Sequence, residues 1–243
     1  MLPFKKIKNS YIYIQESIKL KASNPEHSYS QDLRYFPRWE HSLQALANPL
    51  EDEQPWITFP AINFLEKILM KHMSVFEYGS GGSTVFFSKR AEEVVSVEHD
   101  KSWYLKVSNY LKVKDYTNCQ LHLIEPESNL ASTIKNSADP GSYISSSDIF
   151  CEKSFRGYAS SIEKYQDNYF DVVLIDGRSR PSCFHHAFSK VKQNGFILLD
   201  NAERSHYSYI HEYLYDKGWR KYDFSGPGPY NHYFWKTCAW RKP

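Results

Sequence analysis

The sequence has few cysteines, no paired metal-ligand spacing, no long apolar run and almost no net charge. Its four cysteines, Cys119, Cys151, Cys183 and Cys238, are scattered along 243 residues without a CxxC pair or a matching histidine spacing. That excludes a zinc ribbon or a disulfide scaffold and points to free thiols in a reducing compartment. No stretch approaches the roughly 18–20 consecutive apolar residues of a membrane helix. The opening segment MLPFKKIKNSYIYIQESIKLK carries lysines but no apolar run of signal-peptide length. The expectation is a cytoplasmic protein with no membrane contact. A net charge of +2 gives no bulk attraction for nucleic acid. Repeats and low-complexity tracts are also absent.

Aromatic residues are plentiful, with 19 Tyr, 15 Phe and 6 Trp, which fill cores and line pockets. The length suits one α/β domain with an extension. Residues 1 to about 55 form that extension. Phe4, Ile7, Tyr11, Ile14 and Ile18 make a helical stripe, and a polar segment with prolines at 25, 37, 49 and 55 follows. From residue 56 to 243 the pattern tightens into a second unit. PAINFLEKILMKH reads as a helix, SVFEYG as a strand, STVFFSKRA as a helix, EVVSVEH as a strand, KSWYLKVSNYLKV as a helix and CQLHLIE as a strand. A polar insertion over about 126–153 comes next. Then GYASSIEKYQ reads as a helix, FDVVLIDG as a fourth strand, PSCFHHAFSKVKQN as a helix and GFILLDN as a fifth strand. ERSHYSYIHEYLYDKG is a helix, and two final strands are joined by the loop SGPGPYNHY. Alternating strands and helices build a mostly parallel sheet covered on both faces, closed here by an antiparallel hairpin.

The densest motif is EYGSGGST at residues 77–84. Gly79, Gly81 and Gly82 sit at a strand-to-helix turn, where glycine permits positive φ and close backbone approach by a ligand. The helix opening at Ser83 and Thr84 turns free N–H groups toward the crevice. Glu98 lies 19 residues after Gly79, at the tip of the next strand, where a carboxylate can accept from both hydroxyls of a ribose. A dinucleotide site asks for G-x-G-x-x-G, and here the third position is Thr84. Glu77 would repel a pyrophosphate and attract an amino group, which favours S-adenosylmethionine (SAM) over NAD.

FEYGSGGST resembles motif I of the class I SAM-dependent methyltransferases. VVSVEHD resembles their second strand with its ribose-binding acid, and FDVVLIDG, GFILLDN and the terminal hairpin resemble their later strands. The resemblance covers about residues 58–241. It implies a seven-stranded Rossmann-like sheet with helices on both faces. It also implies that Gly79, Ser80 and Gly81 pass beside the methionine part of SAM, that Glu77 holds its amino end and that Glu98 binds its ribose. Tyr158 is the candidate adenine wall.

Asp176 ends the fourth strand, and Asp200 and Asn201 end the fifth. Together they offer three hard oxygen ligands suited to Mg²⁺, an arrangement similar to metal-dependent small-molecule O-methyltransferases. Asp200 and Asn201 are equally good helix N-caps, so both readings stand. Asp176, His206 and Tyr207 are candidates for removing a proton from the acceptor. Arg178 and Arg180 are candidates for clamping an acceptor carboxylate or phosphate. The expected reaction is methyl transfer from SAM to an oxygen, less favourably a nitrogen, of a small acceptor. A SAM-fold binding module without turnover and an NAD-linked oxidoreductase are the alternatives. Nucleic acid is disfavoured as a partner, since no basic stripe and no (Asp/Asn)-Pro-Pro-(Tyr/Phe) signature occurs. No pattern fixes the oligomeric state, with which a homodimer is compatible.

Overall fold

The computed structural model describes residues 2–44, 47–128 and 136–243, so residues 129–135 of the expected insertion lie outside it. The strands, in chain order, are β1 (Ser74–Tyr78), β2 (Glu93–Glu98), β3 (Cys119–Leu123), β4 (Glu127–Ser128), β5 (Lys153–Ser154), β6 (Phe170–Ile175), β7 (Val191–Asp200), β8 (Arg220–Gly226) and β9 (Trp235–Arg241). Seven of them form one sheet in the order β3-β2-β1-β6-β7-β9-β8, while β4 and β5 pair as a small antiparallel ribbon inside the insertion. The sheet is parallel from β3 through β7. Strand β9 runs antiparallel to both β7 and β8, as the terminal hairpin requires. Strand order reverses between β1 and β6, which opens a crevice at their carboxyl ends.

The helices are α1 (Leu2–Ser23), α2 (Tyr29–Ser42), α3 (Phe59–Ile68), α4 (Gly82–Ser88), α5 (Lys101–Val113), α6 (Arg156–Ser160), α7 (Arg180–Ala187) and α8 (Ser208–Asp216). Local chemistry sets their starts. Pro60 occupies the first turn of α3, where its missing N–H costs nothing. Asp100 caps α5 by accepting from Trp103 N at 2.8 Å, a contact of about 1 kcal/mol. The run VVLI at 172–175 in β6 is apolar throughout because both of its faces are covered. Val173 and Ile175 join a core with Phe184 and Ile210, and Val172 and Leu174 join the opposite core with Phe87 and Ile62.

Two elements differ from expectation. Helix α1 forms, but Ile7, Tyr11, Ile14 and Ile18 face outward (Ile7 is 67% exposed), while Asn9, Tyr13 and Ser17 face in. Phe4 falls outside the described side chains. The cause is Asp32, a carboxylate only 2% exposed. Its oxygens accept from Ser17 Oγ and lie 2.9 Å from His27 Nε2, and its carbonyl accepts from Tyr13. An unpartnered buried charge costs several kcal/mol, more than these four side chains gain by partial burial, so the donors win the inner face. Second, the chain leaves its helix earlier than expected, and VKQN is already strand: Val191 pairs with Phe170. The register then shifts at a bulge that holds Asn194 at φ +64°. A Cβ on Gly195 would come within 2.8 Å of the Asp171 carbonyl, so glycine is needed there.

The extension shares the main domain's core. Tyr13 and Trp39 pack with Ile57 and Phe59, and Trp39 Nε1 donates to the Asn231 carbonyl at 2.8 Å in the loop between β8 and β9. No helix among the described residues is long and apolar enough to cross a membrane.

Candidate functional site

The glycine turn leaves β1 with Gly79 at φ +94° and Gly81 at φ +154°. A Cβ on Gly79 would lie 3.1 Å from the Asp176 carbonyl oxygen and 3.2 Å from Gly177 Cα, so the turn rests against the tip of β6 across the switch point. Gly82 serves the chain itself, because a Cβ there would run into the carbonyls of Pro49 and Gln54 from the extension. The same extension loop is tied down by Glu53, which accepts from Tyr110 OH at 3.0 Å and pairs with Lys89.

Beneath the turn, Glu77 is wholly buried. Its Oε1 accepts from Thr84 Oγ1 and, at 2.8 Å, from Ser96 Oγ, while its Oε2 has no partner among the described residues. Thr84 Oγ1 in turn accepts from Gly81 N at 2.9 Å, so the carboxyl holds the turn through one hydroxyl. Burial pushes the Glu77 carboxyl up to about 7 against the pull of its Thr84, Ser83 and Ser96 hydrogen bonds.

Glu98, 3% exposed, clasps the turn from β2. Ser80 donates to its Oε2 through N at 3.0 Å and Oγ at 2.9 Å, and His99 N and Asp100 N donate to Oε1 at 2.7 and 2.9 Å. Nδ1 of His99 stands 2.8 Å from the same oxygen as a charge neighbour, not as a well-directed hydrogen bond. Burial raises this carboxyl, but the donors and His99 outweigh it and hold it below its usual range. Trp103 Nε1 fixes the Ser80 carbonyl at 2.8 Å.

Across the crevice, Arg180 opens α7 as a buried cross-brace. Its Nε donates to the Gly177 carbonyl at 3.0 Å, Nη1 to the Asp200 carbonyl and Nη2 to Asp176 Oδ1 at 3.0 Å, with Nη1 4.0 Å from Asp200 Oδ2. The guanidinium therefore stands between the two carboxylates expected to share a metal. Asp200 Oδ1 accepts from Trp235 Nε1 at 2.8 Å and Thr237 Oγ1 at 2.7 Å, and Asn201 is held at φ +49° in the turn after β7. Burial and the mutual proximity of Asp176 and Asp200 push the Asp176 carboxyl up, against Arg180. The Arg180 guanidinium already occupies the gap, and Asp200 Oδ1 is committed to Trp235 and Thr237 on β9, so Asp176, Asp200 and Asn201 do not fit Mg²⁺ while Arg180 stands between them. No group of three or more His, Cys, Asp or Glu among the described residues is arranged to hold a metal.

The structure thus brings Glu77, Gly79, Ser80, Gly81, Thr84, Glu98 and Asp176 to one crevice. Ser83 starts α4 beside them, 8% exposed. Tyr158 stands behind that crevice. It is 1% exposed, its ring is 5.5 Å from that of Tyr78, and its hydroxyl presses on Gly177. Tyr207 is likewise 3% exposed, with Arg180 5.9 Å over its ring. Tyr207, Arg178, Arg180 and His206 line a cleft at the tips of β6 and β7, together with Arg204, Ser145 and Ser146. His206 Nε2 has no partner among the described residues, and burial, Arg204 and Arg180 hold the ring below its usual pKa. Phe150 of the insertion bridges the two halves, 5.3 Å from the His99 ring and 5.2 Å from the Arg178 guanidinium.

Sequence reasoning missed Ser96, His99, Trp103 and Arg204. Ser96 had a signal: it lies beside Glu77 in the β1–β2 register, on the same side of the sheet. The other three are set by loop and helix placement that no spacing encodes.

A reversed strand order, a glycine turn at the switch point and an acid on the neighbouring tip give the chain a Rossmann-like fold of the kind seen in solved methyltransferase structures. No protein-family model and no curated protein matches the chain. Solved structures match in fold. One is the O-methyltransferase from Bacillus cereus in complex with SAH (S-adenosylhomocysteine), at TM-score 0.56 and 10% identity over 97% of this chain and 100% of that one. SMU.1697c from Streptococcus mutans, also in complex with SAH, aligns at TM-score 0.51 and 13% identity over 74% of this chain and 94% of that one. An rRNA methylase from Streptococcus thermophilus aligns at TM-score 0.51 and 11% identity over 78% of this chain and 100% of that one.

Proposed function

We propose that this chain is a SAM-dependent methyltransferase acting on an oxygen, less favourably a nitrogen, of a small acceptor. The observation that carries the reading is the clasp of Ser80 by Glu98 at the switch point, with an unpartnered carboxylate oxygen of Glu77 beneath the same turn. Those residues fit the donor. An orphaned, buried Glu77 Oε2 suits an ammonium group, and the turn at Gly79 and Gly81 leaves backbone free of side chains. Every acceptor position of Glu98 is in use, so a ribose diol that binds there replaces the Ser80 hydroxyl.

When bound, SAM supplies an electrophilic methyl group on a sulfonium. The chain's own task is positioning and exclusion of water, since positive charge disappears as the new bond forms. An oxygen acceptor must lose a proton. His206 is the favoured base: its pKa is lowered, so it is neutral near pH 7, and its Nε2 has no partner among the described residues but is buried behind the cleft wall, so the ring must turn to present it to the acceptor. Asp176, about a fifth exposed at the side chain, is the second candidate. A small acceptor is favoured because the described part of the insertion, through Ile144, Ser145, Ser146 and Phe150, packs over the strand tips beside a narrow cleft.

Calorimetric titration with SAM, SAH and NADH tests the reading, followed by transfer of labelled methyl from SAM to a panel of hydroxylated small molecules. The expected result is binding of the first two, no binding of NADH and label on at least one oxygen. NADH binding tighter than SAH would sink the assignment. SAH binding without transfer to any acceptor would make the chain a binding module.

A further inference from the structure

The cleft at the tips of β6 and β7 has a composition that the donor site does not explain. Arg178, Arg180, Arg204 and His206 line it with serine hydroxyls, and no Asp or Glu among the described residues belongs to its wall. Arg180 is consumed by Asp176 and two backbone carbonyls. Arg178 has only the face of Phe150 against its guanidinium, and Arg204 is exposed; neither has a carboxylate partner among the described residues. Two unneutralised guanidinium groups on one wall repel each other, and their planar forks match the paired oxygens of a carboxylate or phosphate. The His206 ring borders the same wall with its unpartnered Nε2 buried behind it, and Ser145 and Ser146 add hydroxyl donors.

From these contacts we infer that the cleft is an oxyanion subsite for the methyl acceptor, with Arg178 and Arg204 gripping a carboxylate or phosphate that the acceptor carries. The inference rests on the methyltransferase reading for what the bound molecule is, but not for whether an anion binds. Of the two arginines expected to clamp an acceptor, the structure keeps Arg178 and exchanges Arg180 for Arg204. The space is small, about 30 Å³, which suits a single anionic group and not a stretch of nucleic-acid backbone. Asp176 borders the cleft through Arg180 and its neighbour Gly177, so an acceptor anchored by its anion presents its remaining atoms toward the crevice that holds the donor residues.

The test titrates phenyl phosphate and benzoate into the full chain and into the double variant Arg178→Gln/Arg204→Gln, with SAH titrated into both proteins to report on the donor half. At least one anion is expected to bind the natural chain and to lose tenfold or more in affinity in the variant, while SAH affinity moves less than twofold. The tighter of the two anions identifies the source as phosphate or carboxylate. Equal affinity of both proteins for both anions, or no binding of either anion to the natural chain, overturns the subsite. An RNA decamer that binds tenfold more tightly than phenyl phosphate through the same two arginines overturns the small-acceptor assignment. If SAH fails to bind the natural chain while the arginine-dependent anion affinity persists, the methyltransferase reading falls and the subsite stands.

Discussion

On the β1/β2 side of the crevice the polar groups answer one another. Glu98 takes four donors, Thr84 links Gly81 to Glu77, and Trp103 holds the Ser80 carbonyl. On the β6/β7 side, Arg178, Arg204 and His206 reach the cleft without hydrogen-bonding partners among the described residues. One half is preorganised around backbone geometry, and the other keeps its hydrogen-bonding capacity for something that arrives. Preorganisation suits an invariant ligand, whereas unspent capacity suits the variable partner of a reaction. Arg180 borders the cleft but spends its donors inside the fold, as a structural cation wedged between Asp176 and Asp200.

That contrast can be broken at several points. The largest effect is expected from Arg180→Leu, which leaves two buried carboxylates without their shared cation. Stability should fall by about 3–5 kcal/mol, read as a lower urea midpoint, and a loss under 1 kcal/mol would remove Arg180 from its bracing role. Next comes Glu98→Gln, which turns an amide N–H₂ toward N–H donors at about 1–3 kcal/mol each; SAH affinity should drop about 100-fold, and an unchanged value in calorimetry would detach Glu98 from the donor.

A smaller effect is a pH signature at Glu77. Its ordinary value of 4.5 rises to about 7 in the folded chain, so the native state holds a proton that the unfolded state has released. The stability from this neutral carboxyl is fully present below about pH 4.5 and is lost as pH rises through 7. Binding of a ligand ammonium runs the other way, because it needs the ionised form. Between pH 6 and 8 the urea midpoint should fall while SAH affinity rises about tenfold, and Glu77→Gln should flatten both. The smallest expected effect is that of chelation. With Arg180 between the carboxylates, methyl transfer should be indifferent to a chelator and to added Mg²⁺; a rate restored only by Mg²⁺ would show that Arg180 moves aside in solution.

The same contrast explains what the sequence disclosed. Backbone-driven features were legible: the strands, the glycine turn and the acid at Glu98 follow from apolar runs and spacing. Features decided by side-chain competition were not. The isoleucines of α1 obey a helical period yet face solvent, because Asp32 draws Tyr13 and Ser17 to the inner face of the helix, with His27 beside it from the following loop. Asp200 sits where a metal ligand was expected, but its Oδ1 answers Trp235 and Thr237 on a strand more than thirty residues away in sequence. Arg180 and Arg178 differ by two positions and have opposite roles, which only the direction of α7 decides.

Gly82 carries a lesson about packing. Of the motif's three glycines, this one is demanded by the carbonyls of Pro49 and Gln54, which belong to the extension and press where a methyl group would go. A chain trimmed of those first residues would be at liberty to fill the position, so this glycine answers to the extension and not to a ligand.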